Sequence, residues 1–400
     1  MEGLAGKLRK TLGPLPAAGP LGETLHLAQA EPRLFWTGFL AGLERERDLI
    51  LMDPAWPGDW RSRLEEQLAG RPAEAGPVIL VPTGGSSGLP RFCIHNSDTL
   101  SAAARGFEEK CGSAGILHAV NVLPPHHVGG LMPVFRAAAC GGRVHFANYR
   151  DAASLEEAPF PLRQASLSLV PTQLRRMLAE PESRRLLQSF GQILLGGAGC
   201  PPDLLAAARE LGLRLSPCFG STETAAMVTL LDAEDFLSGV EGVGKPLPHA
   251  RIGIGPDHRI LIHSPSNLLG YWPASGEFSR DPLRSGDLGH LDAEGRLHVH
   301  GRADRVIITG GENVHPEQVE AAALSSGLVL DAFCTGEDDP EWGRGVVLEV
   351  VPMEGEFSEE PLREALRNRL PRYAQPKQIR LRAHIPRSEL GKLRQPGAGN

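Results

Sequence analysis

Hydrophobic positions along the chain fall into short unbroken runs alternating with helical spacings, and that alternation predicts an α/β protein. Val78, Ile79, Leu80 and Val81 form one apolar run, the signature of a buried strand. A polar, glycine-rich stretch follows, and Asn96 or Ser97 offers the cap of a helix reaching to about Cys111. Residues 166–170, 192–195 and 214–218 predict three more strands. Between them Thr172 can cap a helix with Leu174, Met177 and Leu178 on one face. Pro201 and Pro202 suit the start of another, which carries Leu204, Leu205, Ala208 and Leu211 until Gly212 stops it. Strand, helix, strand, helix, strand implies a parallel sheet with crossover helices. Ligands of such sheets gather at the carboxyl ends of the strands, and here three of those ends run into loops of small and hydroxyl-bearing residues. The first 75 residues carry little chemical signal; 34–43 and 60–69 predict helices.

From about residue 250 the pattern turns β-rich. Residues 251–254 and 259–263 flank Gly255-Pro256-Asp257-His258, a hairpin signal, and 296–300 alternates cleanly. Past a boundary near 301–305 lies a small α+β unit: a helix from Pro316, strands at 329–334 and 346–351, a helix through Leu362, Ala365, Leu366 and Leu370, and a strand at 378–382. No internal repeat is visible.

Composition narrows the class. The chain has 400 residues, 41% of them hydrophobic, with a formal net charge of −7, enough to bury a sizeable core without disulfides. No apolar run approaches the roughly 18 residues of a membrane span. The first residues lack the apolar block of a secretory signal, so a cytoplasmic protein is expected. The mild acidity leaves no footprint for nucleic acid. Cys93, Cys111, Cys140, Cys200, Cys218 and Cys334 make no CxxC pair and read as small buried hydrophobes in preference to zinc or redox sites. From 361 to 394 ten Lys and Arg face two Glu, a local charge of +8, which is either a solvated face or a surface that meets a polyanionic small molecule.

Several stretches permit chemistry. In Thr83-Gly84-Gly85-Ser86-Ser87-Gly88-Leu89-Pro90-Arg91 the glycines let backbone N–H groups approach an anion, three hydroxyls add donors, and Arg91 adds charge. It is not a Walker loop, because no Gly-Lys-Ser/Thr follows, and an ordinary surface loop has the same composition. Glu223, after a buried strand, suits a Mg²⁺ ion or a helix cap. His126 and His127 read as structural or catalytic histidines, and Asp287 as a ribose ligand or a turn residue.

The order of the motifs decides among these. The 83–91 loop, His127-Val128-Gly129-Gly130, Gly196-Gly197-Ala198, Phe219-Gly220-Ser221-Thr222-Glu223, Ser285-Gly286-Asp287, Gly301-Arg302-Ala303-Asp304, Gly310-Gly311-Glu312-Asn313 and Pro386-Arg387-Ser388-Glu389-Leu390-Gly391-Lys392 occur in one sequence. That series resembles the adenylate-forming superfamily of acyl-CoA synthetases, adenylation domains and luciferases, over residues 78–394. The resemblance implies a large N-terminal domain, 1–303, of α/β layers, with parallel-rich sheets, crossover helices and a β-rich subdomain. A small mobile C-terminal α+β domain, 304–400, would carry the catalytic lysine.

It also implies roles. Thr83, Gly84, Gly85, Ser86, Ser87, Gly88 and Arg91 would hold the β- and γ-phosphates of ATP. Gly197 and Ala198 would line the adenine slot, with Phe219 stacked on the base and Gly220 beside it. Thr222 would meet the α-phosphate, Glu223 would bind Mg²⁺, and Asp287, with Arg302 nearby, would hold the ribose. Asp304 would be the hinge. Lys392 would reach the α-phosphate and the acid during adenylation, Gly310, Gly311, Glu312 and Asn313 would serve the thiol step, and His127 would shape the wall beside the acid. Arg91 stands where the superfamily has lysine, Ser86-Ser87 where it has two threonines, Phe219 where it has tyrosine, and Arg305 where a second acidic residue is common. The chain is short for the superfamily, and the shortfall precedes the phosphate loop. Within it, the 123–131 and 168–174 segments resemble the o-succinylbenzoate–CoA ligases of menaquinone synthesis. The expectation is an AMP-forming acid–thiol ligase that uses ATP, Mg²⁺ and CoA, with 2-succinylbenzoate as the favoured acid. Another aryl or acyl acid, a carrier-protein thiol, or a degenerate nucleotide-binding homologue are the alternatives, and a homodimer is left open.

Overall fold

The structure is a computed structural model that describes residues 3–19, 24–56, 60, 62–64, 66, 77–83, 90–112, 115–273, 278–353 and 357–386. Its contacts divide the chain into two compact units. One comprises Met1–Gly197, Leu213–Ile252 and Ile262–Leu283; the other comprises Ala198–Gly212, Gly253–Leu261 and Arg284–Asn400.

The first unit holds two sheets. In the larger the order is Lys245–Pro246, Ala226–Leu230, Leu215–Ser221, Gln192–Leu195, Ala165–Leu169, His118–Asn121, Val144–Phe146. Five neighbouring strands, from Leu215–Ser221 to Val144–Phe146, run parallel. The apolar runs at 166–170 and 192–195 are buried on both faces, as a parallel sheet requires. The second sheet runs Thr24–Leu27, Asp48–Leu51, Ile79–Thr83, Arg91–His95, Gly270–Trp272. Its strand Ile79–Thr83 pairs antiparallel with Arg91–His95, whose polar ends hid it from the hydrophobic pattern.

Local signals fixed most helix ends. Asn96 accepts from the backbone N–H groups of Asp98 and Thr99 and caps Ser97–Cys111. Glu31 accepts from Arg33 and Leu34 at 2.9 and 2.7 Å and caps Pro32–Glu44, which encloses the expected 34–43 helix. The helix expected to be capped by Thr172 begins earlier, at Pro171. Pro fits the first helical position, and the Gln173 side chain accepts from the Val170 N–H at 3.1 Å. The helix expected at 60–69 falls largely outside the described residues. Phe35, Trp36, Phe39 and Phe135 pack with ring centroids 4.9–6.3 Å apart in the core of this unit.

In the second unit the helix Pro202–Glu210 ends as expected before Gly212, whose φ of +64° stops it. Strands Val329–Asp339, Gly343–Pro352 and Gln378–Leu381 form a sheet. Helices Pro316–Leu324 and Glu359–Arg367 contribute Val319, Ala322, Ala323, Leu362 and Leu366 to the same core cluster. A four-stranded sheet of Arg251–Ile254, Arg259–His263, Leu283–Leu291 and Leu297–Arg302, most of whose residues belong to this unit, adds to it. Its first turn is closed by Gly255 N–H to the Arg259 carbonyl at 2.8 Å.

Five of the seven described Lys and Arg of the basic tail have carboxylate partners. Arg363, Arg367, Lys377, Arg380 and Arg382 pair with Glu359, Glu360, Asp339, Glu337 and Glu349. All six cysteines are free, and burial pushes the Cys111, Cys140 and Cys218 thiols up to about 11, which keeps them protonated and inert. Among the described residues no helix is long and apolar enough to cross a membrane.

Candidate functional site

In the first unit the carboxyl ends of parallel strands bring predicted loops together. The Gly196 N–H donates to the Leu169 carbonyl at 3.2 Å. A side chain at Gly196 would meet Cys218 Sγ at 2.9 Å, and one at Gly197 would meet Val170 at 3.2 Å. Gly197 also has a φ of +82°. The loops after 165–169, 192–195 and 215–221 therefore stand side by side on one sheet edge.

The turn after the last of these strands is the most constrained point. Thr222–Thr224 is a single 3₁₀ turn, followed by Ala225 and Ala226 with φ of +52° and +78°. Two non-glycine residues in left-handed backbone cost about 1–3 kcal/mol each. The surroundings hold them there. Leu268 N–H donates to the Glu223 carbonyl at 2.7 Å, Ser266 Oγ to the Thr224 carbonyl at 3.0 Å, and Thr224 Oγ1 to the Ala226 carbonyl at 2.6 Å. His95 Nε2 lies 2.8 Å from the Thr222 carbonyl and Nδ1 3.0 Å from Thr99 Oγ1. Burial pushes the His95 imidazole down to about 4, so it is neutral, donating to Thr222 and accepting from Thr99. A Cβ at Gly220 would lie 1.9 Å from the Ala226 carbonyl oxygen, so only glycine allows the strands to approach there.

Thr83 and Arg91 face each other across the hairpin that closes the predicted phosphate loop, and Thr83 Oγ1 donates to the Arg91 carbonyl at 3.1 Å. Gly84, Gly85, Ser86, Ser87 and Gly88 lie outside the described residues. The Arg91 guanidinium stacks 3.3 Å above the centre of the Tyr271 ring, and Tyr271 Oη donates to Glu223 Oε1 at 3.3 Å. Burial, with the Glu223 charge beside it, pushes the Tyr271 phenol well above its ordinary value and keeps the proton on it. One chain of contacts therefore runs from the ends of the predicted phosphate loop through Arg91 and Tyr271 to Glu223 and Thr222. The sequence reading missed Tyr271 and His95; the short aromatic run Gly270-Tyr271-Trp272 was the available hint for the first. Phe219 and Gly220 belong to the strand leading into this turn. His127 stands at the N-cap of Val128–Ala139, with its ring centroid 4.4 Å from that of His126. Glu223 offers carboxylate oxygens on a clamped turn, the hard donors that Mg²⁺ takes, so the residues present fit that ion.

In the second unit Asp287 pairs with Arg302 across neighbouring strands. A Cβ at Gly286 would lie 2.5 Å from the Arg302 guanidinium. Arg302 grips Asp304 with both arms, Nε to Oδ1 at 3.1 Å and Nη2 to Oδ2 at 2.9 Å. Those hydrogen bonds hold the Asp304 carboxyl below its ordinary value. Arg305 bonds Glu317, Glu320 and the Cys334 carbonyl. Burial opposes its charge, but the carboxylates more than offset that and hold the guanidinium above its ordinary value. Gly310 and Gly311, with φ of +57° and +86°, form the two-residue turn between Ile307–Thr309 and Glu312–Val314. Glu312 and Asn313 are exposed on that hairpin. Ala198 belongs to this unit, and Lys392 lies outside the described residues.

The AMP-binding enzyme family matches residues 31–272, and the AMP-binding enzyme C-terminal domain matches residues 318–392. The indoleacetate–CoA ligase of Aromatoleum aromaticum is 29% identical over 391 residues, covering 94% of this chain and 74% of that one. The 2-succinylbenzoate–CoA ligase of Bacillus cytotoxicus is 30% identical over 329 residues, covering 79% and 68%. The o-succinylbenzoate CoA synthetase of Bacillus subtilis, solved with its acyl-adenylate intermediate OSB-AMP, superposes with a TM-score of 0.80 at 23% identity, covering 98% of this chain and 90% of that one. The same enzyme with ATP and a magnesium ion gives a TM-score of 0.71 at 25% identity, over 88% and 79%.

Proposed function

Since the chain belongs to the AMP-binding enzyme family, we propose that it is an ATP-dependent acid–thiol ligase whose acid is 2-succinylbenzoate and whose thiol is CoA. The observation that carries this reading is the line of contacts from Arg91 through Tyr271 to Glu223 and Thr222, because it joins an anion-binding loop to a carboxylate on a fixed turn. The named relatives support the choice of acid: 2-succinylbenzoate–CoA ligases recur among them. The indoleacetate–CoA ligase favours a second reading, another aryl acid.

The chemistry follows from charge. A carboxylate oxygen attacks the α-phosphorus of ATP, the bond to the β-phosphate oxygen breaks, and pyrophosphate leaves. The approach brings anions together. In this reading Arg91 and the 83–91 loop hold the β- and γ-phosphates, Thr222 meets the α-phosphate, and Lys392 offsets the charge that builds there in the transition state. Glu223 holds magnesium, which when bound neutralises part of the phosphate charge. Tyr271 keeps the Glu223 carboxylate turned and keeps Arg91 over its ring. Phe219 stacks on adenine beside Gly197, Ala198 and Gly220, Asp287 takes the ribose hydroxyls near Arg302, and His127 shapes the wall beside the acid.

In the second half-reaction a thiolate attacks the acyl carbon and AMP leaves. One small domain serves both steps by turning about a hinge. We assign the pivot to Asp304, the fixed body to 1–303 and the moving body to 304–400, with Gly310, Gly311, Glu312 and Asn313 turned inward for the thiol step.

The test is a panel of acids, including 2-succinylbenzoate and indoleacetate, offered with ATP, Mg²⁺ and CoA. The highest kcat/KM for AMP and thioester is expected with 2-succinylbenzoate. A clear preference for indoleacetate would move the reading to another aryl acid, and turnover only with a carrier-protein thiol would change the acceptor. No pyrophosphate with any acid would mean a degenerate nucleotide-binding homologue.

A further inference from the structure

Three residues of the first unit converge from two separate places in the sequence. Asp53 follows the strand Asp48–Leu51, and His126 and His127 lead into the helix Val128–Ala139. Each offers one ligand atom, and the three atoms lie within 4.8 Å of one another. Asp53 Oδ1 accepts from the Ala55 N–H at 2.8 Å, which fixes the carboxylate. His126 is only 6% exposed. Its Nε2 lies 3.8 Å from Asp53 Oδ1, too far for a hydrogen bond, and its Nδ1 is buried with no partner among the described residues.

A buried imidazole nitrogen without a partner costs about 1–3 kcal/mol. Packing alone does not explain why a carboxylate and a second imidazole are turned toward it. Two imidazoles and one carboxylate form a donor set typical of zinc-class divalent ions, and three protein ligands leave a fourth position for water or another oxygen donor. Gly130 supports the arrangement: a Cβ there would lie 2.1 Å from the Pro124 carbonyl oxygen, so glycine is needed for the Pro124–Gly130 stretch to fold back this tightly. We propose that Asp53, His126 and His127 bind a divalent transition-metal ion of the zinc class on their own donor set, which does not include Glu223.

The test uses the full chain, stripped of metal with a chelator and titrated with Co²⁺, then Zn²⁺, without nucleotide, followed by calorimetry and visible absorption. One tight equivalent is expected, with Co²⁺ bands that Zn²⁺ abolishes. Asp53→Asn and His126→Ala should weaken binding beyond the roughly 10–100-fold that loss of a mere supporting contact costs. Circular dichroism will show whether each variant keeps its fold, and the near-isosteric Asp53→Asn carries the test if His126→Ala does not. His290, His298 and His300, whose rings stack 4.8–4.9 Å apart, supply the control. A His290→Gln/His300→Gln variant should bind as the wild type does. No uptake by the wild type, unchanged affinity in folded Asp53→Asn, or loss confined to the His290→Gln/His300→Gln variant would overturn the proposal.

Discussion

The turn at Thr222–Thr224 and the junction at Arg302–Asp304 are both short 3₁₀ segments or border one, and both carry a carboxylate, yet they are built in opposite ways. The first is clamped by His95, Ser266, Leu268 and Thr224, and its acid is reached by a half-buried phenol. In the second the acid sits on an exposed guanidinium–carboxylate fork, with side chains 48% and 65% exposed, while the backbone beside it is tied by Arg302 N–H to Glu317 at 3.4 Å and by Arg305 to Glu317, Glu320 and the Cys334 carbonyl. Exposed pairs of that kind contribute little to stability and are readily exchanged for water. In the proposed reading the first construction would keep a metal and a phosphate in register, and the second would serve a pivot. The position of a carboxylate in a motif does not distinguish the two; the burial of its partner does, a half-buried phenol at Glu223 against an exposed guanidinium at Asp304.

That contrast can be broken by experiment. The largest effect is expected at the moving side: Lys392→Ala should slow adenylation by about 10²–10³, the scale for one preorganised donor, while leaving thioester formation from supplied acyl-AMP nearly intact. Equal losses in the two half-reactions would contradict a body that serves them in turn.

Next is pH at the clamped turn. His95 titrates at about 4 in the folded chain against 6.5 ordinarily. Below pH 6.5 the unfolded chain therefore binds a proton that the folded chain refuses, and stability falls as pH drops from 6.5 toward 4, by about 3 kcal/mol at the lower end. Denaturant titrations of the wild type and His95→Gln should show a shallower acid slope in the variant; parallel slopes would mean that His95 does not clamp Thr222. Tyr271→Phe removes the hydrogen bond to Glu223 and should raise the KM for MgATP by roughly three- to tenfold, ~1 kcal/mol, with little change in folding. Last, Asp304→Asn should shift unfolding free energy by less than ~1 kcal/mol while changing overall turnover. A large loss of stability there would make the junction a clamp as well.

Much of the scaffold was legible because its signals are local. The runs at 192–195 and 166–170 are strands, Asn96 caps its helix, Gly255 to His258 turn a hairpin, and Gly212 ends a helix. The strands Thr24–Leu27 and Asp48–Leu51 were not foreseen, since four residues with a polar member carry almost no periodicity. Of the site, the motif residues could be named, but their partners could not. Tyr271 meets Glu223 across 48 positions and His95 meets Thr222 across 127. Such pairings depend on which strands become neighbours, and no single stretch of sequence encodes that. The partners of the basic tail were hidden for the same reason: Arg380 and Arg382 find carboxylates on the strands Val329–Asp339 and Gly343–Pro352, well outside the window in which charge was counted.

Ala225 and Ala226 have one more consequence. Alanine in left-handed backbone costs more in the native state than glycine would, but it leaves the unfolded chain fewer conformations to lose. The strain is thus set once, during synthesis and folding, and does not recur with each catalytic cycle. In the proposed reading a nucleotide arriving at Thr222 would meet a shape already decided, and the energy of its binding would be left for the reaction itself.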